Sequence, residues 1–231
     1  MNLVLLFEED FVSHGVVRMH GRRAEHIARV HRAGEGDTLV VGVASGRIGS
    51  GTITSLTGDA VEMSVTVDRD PPPPVPLTLI LALPRPKVLN RVIASATSLG
   101  VKEIHLINAW RVEKSYWKSP KLAEDNLREQ CIAGLEQARD TVFPRITLHR
   151  FFRQFVEGFT SDALKLIAHP HAVDECPRNV NAPLSLAIGP EGGFIAEELA
   201  SFGRIGFRPV TMGERILRVE TAVAALIARL Y

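Results

Sequence analysis

Cysteine is scarce, with only Cys131 and Cys176, far apart and neither in a CxxC pair. That excludes a disulfide framework and gives no basis for a zinc site, so both are read as buried free thiols. Charge of neither sign prevails either, since 27 basic and 26 acidic residues leave a net +1. No general electrostatic pull toward nucleic acid or membrane follows, and any such attraction must come from local clustering. Long apolar runs are missing as well. The longest stretch without a charged residue, Pro71 to Pro84, has 14 residues and six prolines, too short and too broken to span a bilayer. The start, MNLVLLFEEDF, has no basic leader and meets three acids at once, so it does not read as a secretory signal and a cytoplasmic protein is expected. No internal repeat or low-complexity segment is present apart from the prolines. What remains, 45% hydrophobic and 23% charged residues over 231 positions, suits one large globular domain or two small ones.

The proline run Pro71-Pro72-Pro73-Pro74-Val75-Pro76 is the clearest punctuation. Consecutive prolines are stiff and cannot donate to a sheet, so a boundary is placed there, giving domains 1–72 and 73–231. Before it, β-prone runs (Leu3 to Phe7, Thr38 to Val43, Arg47 to Ile53, Val61 to Val67) are separated by glycine turns, which suggests a small β-barrel with one short helix over Arg22 to His31. After it, strands and helices alternate: Leu77 to Leu83, a helix from Val88 to Leu99, Glu103 to Ile107, a long helix over Pro120 to Ala138, then Arg145 to Leu148, Ala163 to Ala168, Leu184 to Ile188, Phe207 to Thr211, and a closing helix from Val219 to Leu230. That rhythm is α/β with mainly parallel strands.

Charge is distributed unevenly along this plan. Residues 1 to 72 carry seven basic and ten acidic side chains, whereas residues 85 to 121 carry eight basic and two acidic, a net +6. Trp110, Tyr116 and Trp117 lie within the second stretch, pairing phosphate-neutralising charge with flat rings that can stack on unpaired bases. An RNA-contacting loop and an ordinary solvated face fit that composition equally well. Arg18, Arg22, Arg23, Arg29 and Arg32 form a smaller basic group, for which a solvated helix face is an equal explanation.

Three strand ends carry the candidate chemistry. Leu184 to Ile188 runs into Gly189-Pro190-Glu191-Gly192-Gly193-Phe194, a turn in which a ligand can approach the main chain closely. It has neither the Lys-Ser/Thr of a phosphate loop nor the GxGxxG spacing. Met212-Gly213-Glu214-Arg215-Ile216-Leu217-Arg218 opens the last helix with two arginines three apart, able to present a guanidinium to phosphate or to a flipped base. Ala168-His169-Pro170-His171 ends a third strand, and no carboxylate or cysteine completes a metal shell there, so no metal is expected.

GPEGGFIAEEL and MGERILRVETAVAAL resemble the paired signature of the RsmE family, bacterial 16S rRNA uridine-N3 methyltransferases of the SPOUT superfamily. Gln137-Ala-Arg139 with Pro144, Ala96 to Val101, and Glu25-His26-Ile27 through Gly36-Asp37 are similar to further family patterns. The resemblance implies an N-terminal PUA-like β-barrel that contacts RNA, a C-terminal SPOUT α/β methyltransferase domain tied in a trefoil knot, and a homodimer. A paired interface using the last helix would then account for the apolar run Thr221 to Leu230. It implies S-adenosylmethionine held by Ala168, His169, Gly189, Pro190, Glu191, Gly192, Gly193, Met212, Gly213, Ile216, Leu217 and Arg218. It puts 16S rRNA, within the small ribosomal subunit, against Arg22, Arg23, Arg29, Arg32, Arg85, Lys87, Arg91 and Arg111. The expected reaction is methylation of uridine N3, with Arg218 stabilising charge on the uracil oxygens and Glu191 and Glu220 as orienting groups or base. A different rRNA or tRNA nucleotide as acceptor, or a non-catalytic RNA-binding protein of ribosome assembly, are the competing readings.

Overall fold

A computed structural model describes residues 2–30, 33–180 and 182–231, and within them every side chain except those of residues 22, 29 and 30. Packing divides the chain into two units, Met1–Pro73 with Ile132–Phe143, and Pro74–Cys131 with Pro144–Tyr231. The return of residues 132–143 to the first unit departs from the sequence reading, which gave them to the second domain.

The first unit contains β1 (Val4–Leu6), β2 (Phe11–Ser13), β3 (Val16–His20), α1 (Gly21–Val30), β4 (Thr38–Val43), β5 (Ile48–Leu56) and β6 (Ala60–Arg69). The strands form one sheet in the order β1-β4-β5-β6-β3-β2, antiparallel except for the β1–β4 pair. Val4 and Leu6 share a core with Val17 and Met19 of β3, Val61 and Met63 of β6, and Ala24 and Ile27 of α1. Strands near opposite ends of the order meet in that core, so the sheet curls on itself like a barrel, and α1 packs against the same core. Side chains alternate along a strand, and Leu3, Leu5 and Phe7 therefore face the other way, onto Ile48, Ile132, Leu135 and Phe143. Both faces of β1 are buried, which explains its unbroken apolar run. Each such side chain contributes about 1.5–3 kcal/mol by leaving water, and this second core is what draws residues 132–143 into the unit.

The second unit contains β7 (Val75–Ala82), α2 (Pro86–Ser98), β8 (Val101–Ile107), the start of α3 (Glu124–Ala138), β9 (Arg145–His149), α4 (Phe152–Gly158), β10 (Leu164–Ala168), β11 (Leu184–Ile188), α5 (Ala196–Arg204), β12 (Arg208–Val210) and α6 (Val219–Leu230). All pairs of the sheet β12-β10-β11-β7-β8-β9 are parallel. Pro76 sits inside β7, where a register shift between Val75 and Thr78 interrupts the ladder to β8 and the pairing to β11 starts only at Leu77. A residue without an N–H is tolerated there because no ladder bond is required of it. The long helix does not begin at Pro120. Pro120–Leu122 form a 3-10 turn capped by Ser119, Ala123 takes extended backbone, and α3 starts at Glu124.

Five side chains of α6, Val219, Val223, Leu226, Ile227 and Leu230, are buried within the chain itself. The apolarity of that helix therefore needs no second copy to explain it. Cys131 and Cys176 are free and buried, and burial raises the pKa of both thiols. No helix among the described residues is long and apolar enough to cross a membrane.

Candidate functional site

In the second sheet the chain moves outward from β7 to β8 and β9, then crosses to place β10, β11 and β12 on the other side of β7. The reversal falls between β7 and β11. Ligands of open parallel sheets sit outside the carboxyl ends of the strands at such a switch point. The loops leaving β7, β10, β11 and β12 there line a cleft of about 1160 Å³, room for a ligand of nucleoside size.

The loop after β11 owes its shape to its glycines. A side chain at Gly189 would press on the backbone N and ring of Phe194, at 3.1 and 3.2 Å, and Gly193 has φ of +73°, where other residues are strained. Gly193 N–H donates to Pro190 O at 2.8 Å to close the turn. Phe194 is buried against Phe202, ring centroids 5.2 Å apart. Behind it lies Glu198, only 5% exposed. Its carboxylate accepts the Ile195 N–H at 3.0 Å and the Trp110 N–H at 2.7 Å, fastening the glycine loop to the loop after β8. Arg111 in that second loop donates to Gly192 O.

The segment after β12 is held by Thr211, whose hydroxyl donates to Gly213 O at 3.0 Å and accepts the Gly213 N–H at 3.2 Å. His169 N–H donates to Val210 O at 2.9 Å, joining the ends of β10 and β12. Burial, reinforced by His171, lowers the pKa of His169, so its imidazole is neutral near neutral pH.

The two acids of the cleft wall are each paired with an arginine, and several cations there are not paired among the described residues. Glu191 accepts the Arg85 N–H at 3.1 Å and lies 4.0 Å from its guanidinium, while Glu220 pairs with Arg91 at 3.2 Å. Both acids thus hold arginines, one at the N-cap of α2 and one in its second turn. Arg218, at the N-cap of α6, is exposed and has no ion-pair partner among the described residues. With Arg215 and Lys87, which line the same cleft without an ion pair among those residues, it is a cation available to something entering there.

The cleft wall brings together Ala168, His169, Gly189, Pro190, Glu191, Gly192, Gly193, Met212, Ile216, Leu217, Arg218 and Glu220, and from the basic stretch Arg85, Lys87, Arg91 and Arg111. Gly213 stands behind the wall, shaping it with φ of +109°. Sequence reasoning missed Val88, Thr211 and Phe194 as lining residues, and took Tyr116 only as part of a surface loop. A sequence signal existed for Phe194 and Thr211 alone, which directly adjoin the two glycine segments. In the first unit Arg23 donates to both Asp10 oxygens, at 2.8 and 2.9 Å, and to Leu5 O. Its charge is answered by the buried Asp10, which ties it into the fold of the first unit. Arg32 lies outside the described residues, as do the side chains of Arg22 and Arg29. Among the described residues no cluster of three His, Cys, Asp or Glu could hold a metal ion.

A family model described as an RNA methyltransferase domain matches residues 71–231. The chain is 32% identical over 240 aligned positions, covering 99% of it and 90% of the relative, to the ribosomal RNA small subunit methyltransferase E of Treponema pallidum. Among solved structures, the ribosomal RNA small subunit methyltransferase E of Neisseria gonorrhoeae, bound to S-adenosyl methionine, is similar with a TM-score of 0.77 and 24% identity, over 98% of this chain and 95% of that one. A methyltransferase from Legionella pneumophila with bound SAM gives 0.76 and 23%, over 99% and 96%.

Proposed function

This chain belongs to the RsmE family of RNA methyltransferases, and from that premise we propose that it methylates N3 of a uridine in 16S rRNA, using S-adenosylmethionine, as a cytoplasmic homodimer acting on the small ribosomal subunit. The observation that carries the reading is the cleft at the switch point, whose glycine loops offer main-chain groups on one side and whose rim presents Arg218. The cleft fits the cofactor. It has the volume of a nucleoside site, apolar wall from Ile188, Met212, Leu217 and Leu226, and strand-end backbone at Ala168, Gly189 and Met212 for an adenine edge. When bound, S-adenosylmethionine supplies a methyl group on a positively charged sulfur.

The protein's own part is positioning and charge. N3 of uracil is a base-pairing atom that carries a proton, so the base must be unpaired or flipped to enter the cleft. As that proton leaves, negative charge spreads onto the uracil oxygens, and Arg218 is the cation to meet it in a site partly closed from water. Glu191 and Glu220 are the carboxylates of the cleft wall available to accept the proton, and through Arg85 and Arg91 they also orient the basic arm of the cleft. Holding base and donor in line provides much of the rate, since methyl transfer from sulfur needs a fixed nucleophile more than a strong acid. The exposed Ile216, 75% accessible in the single chain, supports a second protomer covering this edge.

The deciding experiment incubates the purified protein with labelled S-adenosylmethionine and small subunits from cells lacking their own enzyme, followed by mapping of the modified nucleotide. Label on N3 of a single 16S uridine is expected. Label on another nucleotide would retain methyl transfer and remove the acceptor assignment. Arg218→Ala should slow transfer by about 10²–10³-fold at S-adenosylmethionine concentrations that calorimetry shows to saturate the variant, and an unaltered rate there would remove its role.

A further inference from the structure

Two aromatic side chains of the second unit are held in water. Trp110 is 79% and Phe151 65% exposed. They leave the carboxyl ends of neighbouring strands, Trp110 three residues after β8 and Phe151 two residues after β9, where Ile107 and His149 are partners and Asn108 N–H donates to His149 O at 2.9 Å. Trp117 lies in the same loop as Trp110 and is held between the two strand ends: it donates its indole N–H to Asn108 Oδ1 at 2.8 Å, and the Arg150 guanidinium lies 5.9 Å from its ring centre.

We propose that these rings form a stacking platform for unpaired RNA bases next to the nucleotide in the cleft. The inference rests on the methyltransferase reading for the identity of that nucleotide, and it adds a binding surface outside the cofactor cleft. Three observations carry it. First, the platform is fixed: the Trp110 backbone is tied down by the buried carboxylate of Glu198, so an exposed aromatic is presented without the entropy of ordering a loose loop. Second, it is continuous with the cleft, because Arg111, the next residue, and Tyr116 in the same loop line the cleft wall. Third, its charge suits a polyanion. Arg111, Lys114, Lys118 and Arg150 flank the rings along the chain, and Glu113 is the lone acid among residues 110–118. Flat rings with cations beside them recognise single-stranded nucleic acid irrespective of sequence, each base presenting a face. A protein partner would have no need of that cationic setting.

The test uses the full-length protein, wild type and as W110A, W110F and F151A. Both tryptophans emit, so the difference between wild type and W110A isolates Trp110. A single-stranded oligoribonucleotide of mixed sequence should quench that difference signal saturably, and inorganic polyphosphate, which has charge but no bases, should not. W110A should raise KM for small-subunit RNA about 5- to 100-fold, as loss of one stacked base does, with kcat and calorimetric cofactor affinity unchanged. F151A should raise KM in the same direction, and W110F should recover most of the loss. RNA that binds without moving Trp110 emission, or W110A with a wild-type KM, would overturn the platform. So would a change of sedimentation in W110A, which would assign the patch to a protein contact. Failure of the wild type to transfer methyl groups or bind S-adenosylmethionine would instead sink the methyltransferase reading, and the quenching measurement would still decide whether these rings take RNA bases.

Discussion

Glu198 shows how far a single side chain can be from what its sequence neighbourhood suggests. In Ala196-Glu197-Glu198-Leu199 it looks like one more helix-favouring residue, yet its two oxygens take main-chain N–H groups from Ile195 and from Trp110, which is 88 residues away. No local pattern can report a partner at that separation. The glycines beside it were legible because their reason is local: Gly193 needs a positive φ and Gly189 needs space under Phe194. Arg218 was legible as a cation near a strand end, but its freedom was not, since that depends on Arg85 and Arg91 having taken Glu191 and Glu220. The consequence for Glu198 is specific. Glu198→Gln replaces one acceptor oxygen by a donor facing an N–H, in a site that is 5% exposed, and should cost about 2–4 kcal/mol. A fall in the urea midpoint with unchanged slope would register it, and cofactor affinity should weaken as the glycine loop loses its anchor. A midpoint equal to wild type would show the clamp to be dispensable.

At the scale of elements, legibility followed burial pattern. β11 and α6 were placed at their observed bounds because each carries a predominantly apolar signal of the right length. β2 and β3 were missed: β2 is an edge strand of three residues paired at two positions, with Ser13, His14 and Gly15 interrupting any alternation. The seven-residue α4 was missed as well, being too short for a period to show. The 3-10 turn before α3 was hidden because Pro120 suits the first turn of either helix type. Within β5, Gly49 carries a constraint that composition could not reveal. A Cβ there would lie 1.8 Å from Thr66 O, at a register shift between β5 and β6. The obstacle is backbone, so the strands would have to part. Gly49→Ala should destabilise the first unit by about 3 kcal/mol or more, read as lost amide protection in β5 and β6 by hydrogen exchange. Gly58→Ala, in open space with no such contact, is the control and should leave protection intact.

For the whole molecule, alternation of strands and helices was enough to give an α/β unit after the prolines, but the strand order, and with it the switch point that makes the cleft, is set by long-range pairing that no segment encodes alone. The same long-range pairing joins His105 of β8 to His149 of β9, Nδ1 to Nε2 at 2.9 Å, beside Phe155 and Phe159. One proton serves that bond, so one ring donates and the other accepts. Glu103 lies 3.4 Å from His105 and is itself held by Arg145 at 2.9 Å. Burial lowers the His105 pKa most, Glu103 opposes it, and His149 and Arg145 add to the lowering; burial alone lowers His149. Both pKa values therefore sit below the ordinary histidine value of 6.5 in the folded chain. Below that value the unfolded chain binds protons that the folded chain refuses, so stability is full above it and declines as pH falls toward the folded pKa values. Thermal unfolding should show a midpoint that is level near neutrality and drops on the acid side of 6.5. His149→Gln keeps a polar partner for His105 while removing one titrating ring, and should flatten that decline. An acid-side slope equal to wild type in this variant would mean that the pair does not govern it and that His169, whose pKa is lowered by burial and by His171 in the cleft, is the group to replace next.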